Sequence, residues 1–319
     1  MENTPASHMS LRTYRGALSQ TVFAHEARRP APTTCEVCRT TLVLTPLHDT
    51  CALWTCPNCG HIVRDLALSN ASARAHAWGG HTSMDRVRLA LTWRRLSKHI
   101  SRMQALVQRP LDVLELGYGR GILLQKLIRA GHRVSGVERH LLSTTEQKPQ
   151  IAGATLYDAT AESCTLPANS YDFIFAIHVV EHLIDLSAVF RKIAASLRHG
   201  GVFYCITPNA QSYGLSLFGQ SWWNLEDPTH YRFFSRRSLE TALSQAEFHT
   251  VRTNVVIEDS LTLEANSALR VLTPGDQVHG ILHTPGARAA SIALTPFALL
   301  ARLCIPNLSP SIEAIAVKS

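Results

Sequence analysis

Three groups of residues in this chain could do chemistry. The first is Cys35-Glu36-Val37-Cys38 and Cys56-Pro57-Asn58-Cys59, two C-x2-C pairs with seventeen residues between them. Each pair places two thiolates on one tight turn, and two such turns make a tetrahedral four-sulfur site for zinc. Gly60 follows the second pair, where a knuckle turn needs positive φ. A closed four-Cys site performs no reaction itself; it staples a fold or builds a ribbon that recognises substrate. Cys51 lies in the same stretch as a spare.

The second group is His178-Val179-Val180-Glu181-His182. H-x-x-E-H is a zinc-protease signature, with two His ligands and a Glu base. It works on one helix, where both imidazoles face the metal. Here the preceding "YDFIFAIHVV" (171–180) is rich in aromatic and β-branched residues, which predicts a buried central strand. His178 then falls at the carboxyl end of that strand, and Glu181-His182 in the turn before a helix over 186–197. Peptidase chemistry is set aside on that ground. A ligand site is expected instead, because ligands bind at the carboxyl ends of such strands.

The third group lies in "LDVLELGYGRGILLQKLIRAGHRVSGVERH" (111–140). The pattern predicts a strand over 111–116, a turn at Gly117, Gly119 and Gly121, a helix over 122–130 capped by Gly131, and a strand over 132–137 that ends at Glu138. Glycines at 117 and 119 let backbone pass close beneath a ligand. The helix start offers free N–H groups. An acid at the end of the second strand can accept both hydroxyls of a ribose. G-x-G-x-G alone is weak evidence; its place between strand, helix, strand and acid is much stronger.

The elements that must position these groups follow from the rest of the chain. With 319 residues, 45% hydrophobic and 17% charged, a packed core of one large or two modest domains is expected. The pattern divides the chain into a flexible tail over 1–30, a Cys-rich module over 31–68 and a larger domain over 83–319. That domain opens with a helix over 83–107 whose apolar residues are Val87, Leu91, Leu96, Ile100, Met103 and Leu106. From 111 strands and helices alternate, which predicts a parallel α/β sheet. The formal net charge of +7 is uneven: residues 1–109 carry 14 Lys/Arg and 6 Asp/Glu, against 17 and 18 in 110–319. A basic segment favours an anionic partner. "MENTPASHMSLRTYRG" lacks the apolar core of a signal peptide, so a cytoplasmic protein with reduced thiols is expected.

"ELGYGRG" (115–121) resembles motif I of the class I S-adenosylmethionine-dependent methyltransferases. Thr160-Ala161-Glu162 with "LPANSYDFIFAIHVVEHLIDL" is similar to that family's segment through its fourth strand. "LRHGGVFYCITPN" resembles the turn and fifth strand. "WWNLEDPTHYRFFSRRSLETALSQAEF" resembles a later block of the branch that includes the ubiquinone-type O-methyltransferases. "SIEAIAVKS" resembles the last strand. The resemblance covers about 106–257 and 311–319. It implies a Rossmann-like seven-stranded α/β sheet, here carrying an N-terminal zinc ribbon on Cys35, Cys38, Cys56 and Cys59. It implies a cofactor site at Glu115, Gly117, Tyr118, Gly119, Gly121, Glu138, Arg139, Ala161, Glu162 and His178, with His178 beside the methionine part. Some ubiquinone-type members hold a divalent metal on Glu-x-x-Glu-His; here His178 stands in place of the first Glu.

In that family the methyl on the sulfonium is already activated. The protein has to align an acceptor and take a proton where the acceptor requires it. His182 and His230 are the candidate bases; Trp222 and Trp223 divide between pocket wall and core. The expected acceptor is a small molecule, most readily an oxygen of a saccharide, lipid-linked or natural-product precursor. The alternatives are an RNA methyltransferase that holds its substrate with the basic ribbon region, a sugar C-methyltransferase, and a non-catalytic cofactor-binding scaffold. Nucleic acid is not favoured: no Asn- or Asp-Pro-Pro-aromatic segment follows the fourth strand, and no KH or RRM signature is evident. Residues 258–310 form an insert. Its apolar stretch 289–306 is expected to be too short and broken to span a bilayer, but could lie on a membrane, dimerise or roof the pocket.

Overall fold

The computed structural model describes residues 32–48, 51–65, 82–138, 151–272 and 285–319. The expected tail and Arg139 lie outside the described residues. Three short strands open the chain: β1 (Val43–His48), β2 (Cys51–Thr55) and β3 (Ile62–Arg64). The helix α1 (Thr82–Val107) leads into β4 (Asp112–Leu116), α2 (Ile122–Arg129), β5 (Arg133–Glu138), β6 (Ala154–Asp158) and β7 (Tyr171–Ile177). Then follow α3 (Leu186–Ser196), β8 (Leu197–Pro208), the short α4 (Gly214–Phe218), β9 (Arg232–Phe233), α5 (Arg236–Ser244) and β10 (Phe248–Val256). The insert supplies α6 (Leu263–Leu272) and α7 (Pro285–Cys304) before β11 (Ser311–Lys318).

Seven strands form one sheet in the order β10-β11-β8-β7-β4-β5-β6. β6, β5, β4, β7 and β8 run parallel, and β11 lies antiparallel between β8 and β10. This is the Rossmann-like sheet expected for a methyltransferase. Its strand order reverses between β4 and β7, the place where such sheets open a ligand crevice. The central strands are buried on both faces, as their apolar runs require; in β7 only Ile177 is partly exposed. On one face α1 lays Leu96, Ile100 and Met103 against Val113, Phe173, Phe175 and Tyr204. Its expected apolar face is narrower than the periodicity suggests, because Leu106 is 81% exposed. On the other face α3 buries Val189, Phe190, Ile193 and Ala194, and Asp185 caps it by accepting the Ala188 N–H at 3.0 Å.

β7 ends earlier than its apolar run. His178 takes φ 55°, and Val180 turns back into the core within a short 3-10 turn (Val180–His182). The insert also differs from expectation. Residues 289–304 of that stretch belong to one continuous 20-residue helix, which by length and composition alone could cross a membrane. The helix runs through Pro296, which lies on its exposed side.

The Cys module is built into the larger domain. β1, β2 and β3 pair in sequence, and β3 takes β9 as the fourth strand, Ile62 opposite Phe233 and Val63 opposite Arg232. Glu36 accepts both Arg232 Nε (2.8 Å) and Arg232 Nη2 (3.1 Å), and His61 donates to it from Nε2 at 2.9 Å. Burial works against ionisation of Glu36, yet Arg232 and His61 hold its carboxyl well below the usual range. Arg237 reaches the Asn58 carbonyl and Gln245 the Val37 carbonyl.

Candidate active site and cysteine centre

The site is assembled where β4 and β7 end. Gly117 has φ 70°, and a Cβ there would meet Val179 Cγ2 at 2.4 Å, so only glycine lets the two strand ends pass. Gly121, at φ 68°, starts α2 in the left-handed region. The Gly119 N–H donates to Glu138 Oε2 at 2.8 Å, which brings the turn and the acid at the end of β5 together. Glu115 is buried beneath them, and its Oε2 has no hydrogen-bond partner. Burial, then the neighbouring Glu138 charge, pushes its pKa well up, so it can donate a hydrogen bond as a neutral acid. Tyr118 departs from a purely ligand-facing role. Its ring packs against Gly136, where a Cβ would meet it at 2.6 Å, and it is almost wholly buried. A cleft with about 540 Å³ of empty space, open solvent included, is lined by Glu115, Gly117, Tyr118, Arg120 and Arg88.

Ala161 and Glu162 follow β6. Glu162 Oε1 accepts the Ile184 N–H at 3.0 Å, and Lys192 donates to the carbonyls of Ala161, Glu162 and Cys164. This lysine clamp is not legible in the sequence, since its partners are all backbone atoms.

His178 sits between two buried carboxylates. Nδ1 lies 3.2 Å from Glu181 Oε1, and Nε2 lies 2.9 Å from Asp259 Oδ2. Burial opposes its charge, but Asp259 and Glu181 raise its pKa to about 10, so the ring is an imidazolium. Both carboxyls are held below their usual range, against burial, with His178 the leading favourable cause. Asp259 comes from the insert. Arg302 of α7 fixes it in place, donating to the carbonyls of Ile257, Asp259 and Ser260 and to Glu264.

The two candidate bases meet. The His182 and His230 rings are 4.7 Å apart. His182 donates from Nδ1 to the Thr229 carbonyl and His230 from Nδ1 to the Asn224 carbonyl, both at 2.8 Å. Those bonds leave each Nε2 as an acceptor in the neutral ring. Burial pushes the His230 pKa down to about 4. Ligand atoms of Glu181, His182 and His230 lie within 4.8 Å of one another and could hold a divalent ion. Two imidazoles and one carboxylate suit zinc, iron or manganese better than magnesium. Trp222 is core, packed on Phe233, whereas Trp223 is partly exposed.

The four cysteines converge. Cys35 Sγ and Cys59 Sγ are 3.6 Å apart, Cys38 Sγ and Cys56 Sγ 3.4 Å, and all four lie within 4.8 Å of one another. Zn–S bonds of ~2.3 Å at tetrahedral angles place sulfurs ~3.8 Å apart, so the set fits such an ion. Cys51 is elsewhere, packed with Leu53, Ile62 and Trp222.

A parallel sheet with one reversed strand, a glycine turn under a crevice and an acid at the next strand end define a class I nucleotide-cofactor enzyme of the methyl-transfer type. The family model described as a methyltransferase domain matches residues 87–253, just over half of the chain. The chain belongs to this family and is an S-adenosylmethionine-dependent methyltransferase. It is 28% identical over 203 residues to the ubiquinone biosynthesis O-methyltransferase of Paramagnetospirillum magneticum, spanning 58% of this chain and 81% of that one. It is 30% identical over 115 residues to the enzyme of the same name from Methylobacterium sp. (strain 4-46), spanning 34% and 46%. With several further relatives of that name the match spans less than two thirds of their length. The fold matches a crystal structure described as a sarcosine dimethylglycine methyltransferase from Galdieria sulphuraria at TM-score 0.51 and 17% identity, covering 78% and 94% of the chains.

Proposed function

We propose that this enzyme transfers the methyl of S-adenosylmethionine to a hydroxyl oxygen of a small molecule, of the saccharide, lipid-linked or natural-product precursor class. The observation that carries this is the pair of imidazoles at 182 and 230, their rings 4.7 Å apart and each with Nδ1 held on a backbone carbonyl, which leaves Nε2 to accept a proton. A hydroxyl acceptor must lose its proton as the new bond forms, and a fixed acceptor nitrogen takes it. The ubiquinone biosynthesis O-methyltransferases among the relatives support an oxygen acceptor. When bound, the cofactor supplies a methyl activated on sulfonium. Glu138 and the Gly119 turn would hold its ribose, and Glu115 would offer a hydrogen bond beneath the turn. Cys35, Cys38, Cys56 and Cys59 hold a structural zinc in this reading.

Nucleic acid is the weaker reading for the ribbon, because Glu36, Val37, Asn58 and Cys59 are spent on contacts to the larger domain.

Two measurements test the proposal. Calorimetric titration with S-adenosylmethionine is expected to give micromolar binding that weakens at least ~30-fold in Glu138→Ala, since that variant loses charge-assisted bonds to ribose. Undiminished binding in the variant would move the cofactor elsewhere. His182→Gln with His230→Gln is expected to lower kcat by ~10²–10⁴ on a hydroxyl acceptor, with cofactor affinity unchanged. Equal loss of cofactor binding would reassign both histidines to loop structure.

A further inference from the structure

The helix α7 (Pro285–Cys304) is turned inside out. Its buried residues are polar: Ser291, Thr295 and Arg302. Ser291 donates to Asn266 of α6 at 2.8 Å, Thr295 bonds back to the Ser291 carbonyl, and Arg302 is held by Glu264 and three carbonyls. The outward side is apolar: Ile292, Leu294, Phe297, Leu300 and Leu303, with Phe297 71% and Leu303 64% exposed. Val271 and Leu272 at the end of α6 are exposed as well. A helix in water shows the reverse arrangement, with polar groups out and apolar groups in. Side chains of this size left in solvent forgo the gain that burial gives, so the face is built for an apolar neighbour.

Charge identifies that neighbour. Residues 285–304 contain no acid; Arg302 is buried against Glu264, and Arg288 is exposed. Arg95 of α1 donates to Glu258 at 2.6 Å, and the flanking Ile257 and Asp259 offer their carbonyls to Arg302, so α1 lies near the end of α7. On α1, Arg95 is paired with Glu258 and Glu313, while Arg86, Arg94, Lys98 and Arg102 are exposed. A second copy docked on this face would bring the same positive field against itself. An anionic surface neutralises it.

We propose that α7 docks this enzyme on an anionic lipid bilayer. The helix lies in the headgroup plane with Ile292, Phe297, Leu300 and Leu303 among the acyl chains and the α1 cations over lipid phosphates. At 1.5 Å per residue it presents an apolar strip ~30 Å long. The polar inner face keeps it on the protein, so it lies on the membrane and does not cross it. Through Arg302 and Asp259 the docked helix is one step from His178.

The test uses the full chain and co-sedimentation with vesicles of phosphatidylcholine alone or with phosphatidylglycerol. Wild type is expected to partition at least tenfold more strongly onto the anionic vesicles, and 0.5 M NaCl is expected to weaken this. Phe297→Ser with Leu300→Ser and Leu303→Ser is expected to reduce partition at least tenfold while the melting temperature holds. The single variant Phe297→Ser, with a smaller loss, serves should the triple variant not fold. Absence of pelleting with either vesicle overturns the proposal. So does equal binding to neutral vesicles, or a concentration-dependent dimer that the triple variant dissolves without any vesicle binding.

Discussion

His178→Ala is expected to destabilise the fold by about 3–5 kcal/mol and to abolish turnover. The variant removes the imidazolium that bonds both Glu181 and Asp259, which are both almost wholly buried. Breaking a buried pair by deleting one partner leaves uncompensated charge, and here two carboxyls are left. Thr207 still donates to Glu181, and Ser260 and Ser311 to Asp259, but none of these donors carries charge. Glu181 also carries the Tyr231 N–H on its carbonyl, so relaxation at the pair moves the segment that presents His230.

The pH dependence has a definite sign. The folded pKa of His178 is raised to about 10 from an ordinary 6.5. Its contribution is therefore fully present below about pH 6.5 and is lost as pH rises toward 10. The two carboxyls are shifted down, so theirs is present above about pH 4 and is lost at lower pH. Urea midpoints of wild type should fall between pH 6.5 and 10. A flat profile over that range, or a His178→Ala variant as stable as wild type, would remove the buried imidazolium from the account.

The sequence makes some parts of this site legible because they rest on local rules. Gly117, Gly119, Gly121 and Glu138 can be read in order because a strand, a tight turn, a helix and a strand each leave a periodic or conformational mark. The paired cysteines mark two turns, and the structure brings all four thiols together. Asp259 and Arg302 leave no such mark. Asp259 stands 81 residues from His178, and Arg302 binds mostly backbone carbonyls, which carry no residue signature. Tyr118 shows the opposite case. It lies inside a legible motif, yet the smallness of Gly136 draws its ring into the core. The apolar stretch over 289–306 is open, by sequence alone, to a membrane, dimer or pocket-roof reading. Only the placement of Ser291, Thr295 and Arg302 shows that its polar side faces the protein.

Loss of zinc from the proposed four-Cys centre is expected to lower turnover at least ~100-fold while cofactor affinity changes by less than about threefold. The split follows from where the ribbon is attached. Its last strand, β3, pairs with β9, which begins two residues after His230. Ser235 donates to the Cys59 carbonyl, and Arg232 binds both Glu36 and the Ile184 carbonyl. The ribbon thus holds the 230–235 segment against the turn that carries His182. The glycine turn, by contrast, is held by Val179, by Val137 and Glu138 at the end of β5 and by the start of α2, with no ribbon contact among the described bonds. Structural zinc sites contribute folding energy outright, with apparent values of about 10–16 kcal/mol in small zinc-finger peptides, so four free thiols should not keep these turns closed. Purified enzyme should carry one zinc per chain by mass spectrometry. Cys38→Ser with Cys56→Ser should remove it and leave a folded Rossmann-like core that still binds S-adenosylmethionine. Zinc-free protein with full turnover would reduce the cysteine cluster to ordinary packing. Equal loss of cofactor binding would mean that the ribbon supports the whole sheet and not the 230–235 segment alone.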